Sequence, residues 1–133
     1  MNTKIKHKTA LVLLSGTLLS VASPAQAQAP RLTKQVKFQA LALQEPKHYA
    51  RIKMADYGWN VRQYVCLSNL WAKESHWNHK ANNPKSTAFG IAQMLNETSL
   101  NPVTQINNGL RYIKHRYDLP CAAWLHWQHH SWY

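Results

Sequence analysis

VRQYVCLSNLW, residues 61–71, decides the fold. Leu67, Leu70 and Trp71 recur at helical spacing on one face, the pattern of an amphipathic helix with a buried stripe. Asn60, just before it, is a good N-cap. The stripe continues past Trp71, because Glu74 falls three and four residues after Trp71 and Leu70. A carboxylate in that place is either paired or has a raised pKa, since burial disfavours its charged form. A raised pKa is what a general acid needs near neutral pH. A helix-terminal ion pair, with Lys73 or a lysine from across the fold, is the plain structural alternative.

The flanking sequence reads as further short helices. Pro46 suits a helix start, and His48 to Tyr57 forms a short helix that Gly58 stops. From Asn78 to Ser86 the signals are those of a loop: Asn78, Asn82, Asn83, Pro84 and Ser86. Gly90 interrupts the apolar run Phe89 to Leu95, which predicts a tight turn or hairpin. Asn101-Pro102 opens another helix, with Val103, Ile106, Leu110 and Ile113 at helical spacing until Asp118-Leu119-Pro120. Cys121 to Trp127 is a last short helix. No internal repeat or low-complexity stretch is present. The class is small and mainly α, with at most a short hairpin.

The N-terminus reads as an export signal over residues 1–27. Lys4, Lys6, His7 and Lys8 form a basic region, Thr9 to Val21 is apolar, and Ala25-Gln26-Ala27 gives the small-x-small cleavage pattern. Cleavage after Ala29 fits nearly as well. The apolar run is too short to span a bilayer comfortably, and no other segment could cross one. Residues 28–45 are polar and basic without a strong period and read as a loosely ordered arm. Residues 46–133 are then the single domain.

Loss of Lys4, Lys6 and Lys8 leaves thirteen basic residues against five acids, a net charge of +8. An exported basic protein meets polyanions such as cell-wall polymers, lipid head groups or nucleic acid. No helix-turn-helix, zinc or RNA-binding signature is present, so specific nucleic-acid recognition is not expected. In an oxidising compartment Cys66 and Cys121 form the single possible disulfide. His76 and His79, and His126, His129 and His130, have spacings a metal could use, but no Cys or acidic ligand joins them. They read as structural or surface histidines, and no metal or cofactor is expected.

The series Glu74-Ser75-His76-Trp77-Asn78, then Ala81, Pro84, Ser86 and Ala88-Phe89-Gly90-Ile91-Ala92-Gln93-Met94, resembles the lytic transglycosylase domain. Asn101-Pro102, Gln105-Ile106, Gly109-Leu110, Tyr112-Ile113, Arg116-Tyr117 and Cys121-Ala122-Ala123-Trp124 continue it. Trp127, Gln128, Trp132 and Tyr133 close it. The late elements are similar to a small secreted branch of the family with the same cysteine pair. The resemblance implies a fold like that of goose-type lysozyme, peptidoglycan glycan strands as substrate, and a monomer.

Carried over residue by residue, the resemblance implies that Glu74 protonates the glycosidic oxygen between muramic acid and N-acetylglucosamine. Gln93 would hydrogen-bond the sugar, and Ser75 would support the helix end. Trp124 stands where the family often has a Tyr near the carboxylate. Trp77, Asn83, Phe89 and Met94 are the other expected substrate contacts, with Trp77 and Trp124 as the cleft-lining tryptophans; most of the remaining four read as core. Four departures are visible: Thr87 in place of a frequent Gly, Asn83 in place of a Ser, Leu125 in place of an Asn, and no Pro soon after Gln93. One carboxylate suffices for such chemistry, because the nucleophile is the substrate's own 6-hydroxyl. A hydrolytic muramidase would need a second acid, and Glu97 and Asp118, both in turn-like sequence, are the candidates. A non-catalytic basic wall-binding protein is the third reading.

Overall fold

The computed structural model describes residues 24–133, with side chains from Thr33 onward. The signal expected at residues 1–27 lies outside them except for its last four residues. The described residues form five α-helices: α1 (Pro24–Gln44), α2 (Pro46–Lys53), α3 (Val61–Ser75), α4 (Pro102–Tyr117) and α5 (Pro120–His130). A two-stranded antiparallel hairpin, β1 (Ala88–Phe89) and β2 (Met94–Leu95), lies between α3 and α4, with Ala88 opposite Leu95. None of the helices described is long and apolar enough to cross a membrane.

The helix boundaries follow local chemistry. The Asn60 side chain accepts the Gln63 N–H at 3.2 Å, and Asn101 caps α4 through the Val103 N–H at 2.9 Å. A 3-10 turn, Met54–Tyr57, continues α2 and ends at Gly58, whose φ of 69° is the left-handed conformation that glycine adopts without steric cost. α3 ends because His76 and Trp77 both turn left-handed, at φ 54° and 65°. This reversal drives Trp77 back against α3, where its ring meets Trp71 edge-on at 5.1 Å.

The core gathers the apolar stripes of α3 and α4 into one buried cluster, with α3 lying mainly along α5 and α4 against α1, α2 and α5. Leu67, Leu70 and Trp71 pack with Ile106, Leu110 and Ile113, and Met54, Ile91 and Ala123 close the sides. Gly109 lets α4 pass closely over this layer. A Cβ there would stand 2.6 Å from the Ala92 Cβ and 2.7 Å from the Trp71 ring. The disulfide Cys66–Cys121 joins α3 to the start of α5, and the Cys121 N–H also donates to the Gln63 side chain at 2.9 Å.

The stretch 28–45 differs from the expected loose arm: residues 28–44 belong to α1, and Glu45 is the N-cap of α2. Phe38, Leu41 and Ala42 form a one-turn apolar patch that docks the helix, with Ala42 fully buried and Phe38 edge-on to Tyr49 at 6.0 Å. A patch of one turn is too short to register as a period, so packing against α2 and α4 decides this segment.

The disulfide closes a loop of 55 residues. Chain entropy assigns such a cross-link about 4 kcal/mol, a large share of a small domain's stability. Replacing both cysteines with serine is expected to lower the denaturation midpoint accordingly; a loss under about 1 kcal/mol would show that other contacts hold this loop.

Candidate functional site

Glu74 is the penultimate residue of α3 and lines a cleft of about 360 Å³. The other walls come from three places: Asn83, Ser86 and Ala88 before the hairpin, Gln93 and Leu95 within it, and Ser131, Trp132 and Tyr133 at the chain end. Glu74 is the one acidic side chain among these lining residues. Partial burial raises its pKa from the ordinary 4.5 to about 7, a hydrogen bond from the Trp127 side chain only partly opposing the shift. The ion-pair alternative finds no support, since the two ion pairs among the described residues are Lys53–Asp56 and Lys114–Asp118. Glu97 is held by the Ser99 N–H and the Asn108 amide, and neither it nor Asp118 lines the cleft.

The hairpin turn is fixed by two buried polar side chains, Ser75 and Gln105, and by the half-buried Tyr133. Ser75 Oγ donates to the Ile91 carbonyl at 2.6 Å. Gln105, 1% exposed, accepts the Ile91 N–H at 3.0 Å and donates to the carbonyls of His79 and Ser99. Tyr133 Oη accepts from the Trp71 indole at 2.9 Å and donates to the Ala92 carbonyl at 2.8 Å. Burial holds this phenol well above its ordinary pKa, so it stays a donor. Gly90, at φ 79°, is required here: a Cβ would sit 2.4 Å from the Gln105 side chain.

That turn sets Gln93. Its backbone is left-handed, at φ 48°, and its amide nitrogen donates to the carbonyls of Ala81 at 3.1 Å and Gly90 at 2.9 Å. Both amide hydrogens are thereby committed, and the oxygen remains as an acceptor for a ligand hydroxyl or N–H. Asn83 is oriented the opposite way. Its side-chain oxygen accepts the Lys85 N–H at 2.9 Å, which leaves the NH₂ group as the donor on that wall.

The expected site residues separate into three groups. Glu74, Gln93 and Asn83 meet at the cleft. Met94 lines a neighbouring hollow that shares Gln93, Leu95 and Tyr133 with it. The other four do not line it. Ser75 is buried and works through Ile91, and Trp77 is 5% exposed, packed on Trp71 with its indole donating to the Ser68 carbonyl. Phe89 is half-buried in the hairpin. Trp124 stacks on Trp127 at 5.4 Å and does not itself line the cleft.

Trp127, Trp132 and Tyr133 touch the site, although they were expected only to close the series, and the two tryptophans fell in a group read mostly as core. The placing of an aromatic pair on α5 was legible in part: Trp127 lies one helical turn after Ala123, which faces α3. The last three residues fold back over the cleft through a tertiary contact that no local pattern encodes. Among the described residues, no three His, Cys, Asp or Glu side chains converge as a metal site. No protein-family model matches the chain, and no curated protein or solved structure shows significant similarity to it.

The Glu74 carboxyl has a consequence for stability. In the folded chain it keeps its proton up to about pH 7, in the unfolded chain only to about 4.5. The folded state therefore holds more protons across that window, and stability falls as pH rises through it. Glu74→Gln removes the effect. The variant is expected to exceed the parent by about 1–2 kcal/mol at pH 8, after allowance for solvent screening, and to match it below pH 4.5. Equal denaturation curves at both pH values would contradict this burial.

Proposed function

We propose that the chain is an exported peptidoglycan lytic transglycosylase. The observation that carries the reading is a single half-buried carboxyl, its pKa raised to about 7, sharing a cleft with a fixed amide acceptor and with no second acid on the walls. The ordered series from Glu74 to Tyr133 supports the same reading. The Cys66–Cys121 disulfide agrees with an oxidising compartment, and the basic balance of charge suits an anionic polymer.

The chemistry runs on Glu74 alone. Its carboxyl gives a proton to the glycosidic oxygen as the bond from muramic acid C1 to that oxygen breaks. The 6-hydroxyl of the same muramic acid then closes on C1, and its proton passes to the Glu74 carboxylate. The products are a free 4-hydroxyl on N-acetylglucosamine and a 1,6-anhydro ring on muramic acid. No water is consumed, and Glu74 ends protonated as it began. The nucleophile belongs to the substrate, so its placement replaces the second carboxylate that a hydrolase needs. Gln93 accepts a hydrogen bond from the sugar, and Asn83 donates one.

A Glu with this pKa is protonated below about pH 7 and loses its proton above it. Cleavage of purified peptidoglycan is therefore expected to decline as pH rises through that value. Glu74→Gln should lower the rate at least about a hundredfold. Mass spectrometry of the products gives the decisive reading. Anhydro ends support the proposal, reducing ends indicate hydrolysis, and solubilisation unchanged by Glu74→Gln would end the catalytic reading.

A further inference from the structure

Arg116 lines neither of two neighbouring hollows, but two of the rings it lies over do. The Glu74 cleft is walled by Trp132, and the neighbouring hollow of about 280 Å³ is lined by Met94 and Tyr112. The Arg116 guanidinium lies 5.0 Å over the Trp132 ring, 5.6 Å over Tyr117 and 5.9 Å over Tyr112. Its Nη1 donates to the Tyr112 hydroxyl at 3.0 Å, and that hydroxyl donates to the Tyr133 carbonyl at 3.1 Å. Three rings and one hydrogen bond thus hold an exposed cation in a defined orientation.

This cation has no acidic partner: neither ion pair among the described residues includes it. An arginine head has five N–H donors in a planar fork, and the Tyr112 bond uses one. The remaining donors match a planar two-oxygen acceptor. His126 packs against Trp132 at 4.4 Å and His130 at 4.3 Å, and its desolvation, with Arg116, His129 and His130 close by, pushes its pKa below the ordinary value.

We infer that Arg116 is a carboxylate-recognition residue at the edge of the cleft. Its ligand class is the free carboxylate on the peptide that substitutes muramic acid, and it biases the protein toward strands whose peptides are not amidated. Trp132 joins the two sites, since one face of that residue borders the glycan cleft and its ring carries the guanidinium. This inference rests on the peptidoglycan reading of the cleft. It adds a specificity element that the single-acid mechanism does not require.

Titration calorimetry with disaccharide-peptide fragments, carrying either free or amidated peptide carboxylates, tests it on the signal-free chain. The parent is expected to prefer the free carboxylate by about tenfold, the size of one charge-assisted contact at an exposed site. Arg116→Gln should bring the two affinities together. Arg116→Lys keeps a charge without the planar fork and should retain only part of the preference. Should the glutamine variant fail to fold, the lysine variant decides, and a full tenfold preference in it overturns the assignment. Equal binding of both fragments by the parent, or an undiminished preference in Arg116→Gln, overturns the role of Arg116 alone. If neither fragment binds, the glycan reading of the cleft fails together with it.

Discussion

The main chain at Ile91 and Ala92 is the point on which the site depends. Ser75 from α3, Gln105 from α4 and Tyr133 from the chain end each bond to it, so three distant segments meet on two residues. All these bonds are buried or partly so, where an unmatched polar group costs about 1–3 kcal/mol. Glu74 precedes Ser75 and Gln93 follows Ala92. The same bonds that close the fold therefore set the acid against the amide. Gly90 and Gly109 make the arrangement sterically possible, each by lacking a Cβ where a buried side chain lies within 3 Å.

The electrostatics of the cleft follow from scarcity and burial. The described chain has five acids, of which Asp56 and Asp118 pair with lysines and Glu97 serves the loop before α4. Glu74 is left with no cationic partner in the site. Desolvation then dominates its titration, and the Trp127 hydrogen bond moderates the shift without reversing it. The scarcity also shapes the basic side of the molecule, where Arg116 is held by rings in place of a carboxylate.

The tryptophans divide by the ends of their rings. Trp59, Trp71 and Trp77 are core, and each indole N–H reaches an oxygen inside the fold: the Asp118 carbonyl, the Tyr133 hydroxyl and the Ser68 carbonyl. Trp127 bonds the acid, Trp124 stacks on Trp127, and Trp132 opens onto the cleft. Apolar composition does not separate these roles. Only the position of each N–H relative to a buried acceptor does.

Local chemistry determined much of this protein directly from sequence. The α3 stripe, the Asn60 and Asn101 caps, the Gly58 and Pro120 stops, the hairpin around Gly90 and the Cys66–Cys121 pair all rest on contacts within a few residues or on a count of two. The apolar setting of Glu74 was legible for the same reason, since helical spacing alone put it on the stripe. Tertiary structure decided the rest. α1 exists because Phe38, Leu41 and Ala42 find partners on other helices. Trp77 went to the core because two left-handed residues reversed the chain after α3. The cleft wall of Trp132 and Tyr133 formed because a phenol from the chain end bridged Trp71 and Ala92, 62 and 41 residues away. Such pairings involve groups with no sequence relation to one another, so their energies act only once the chain has folded.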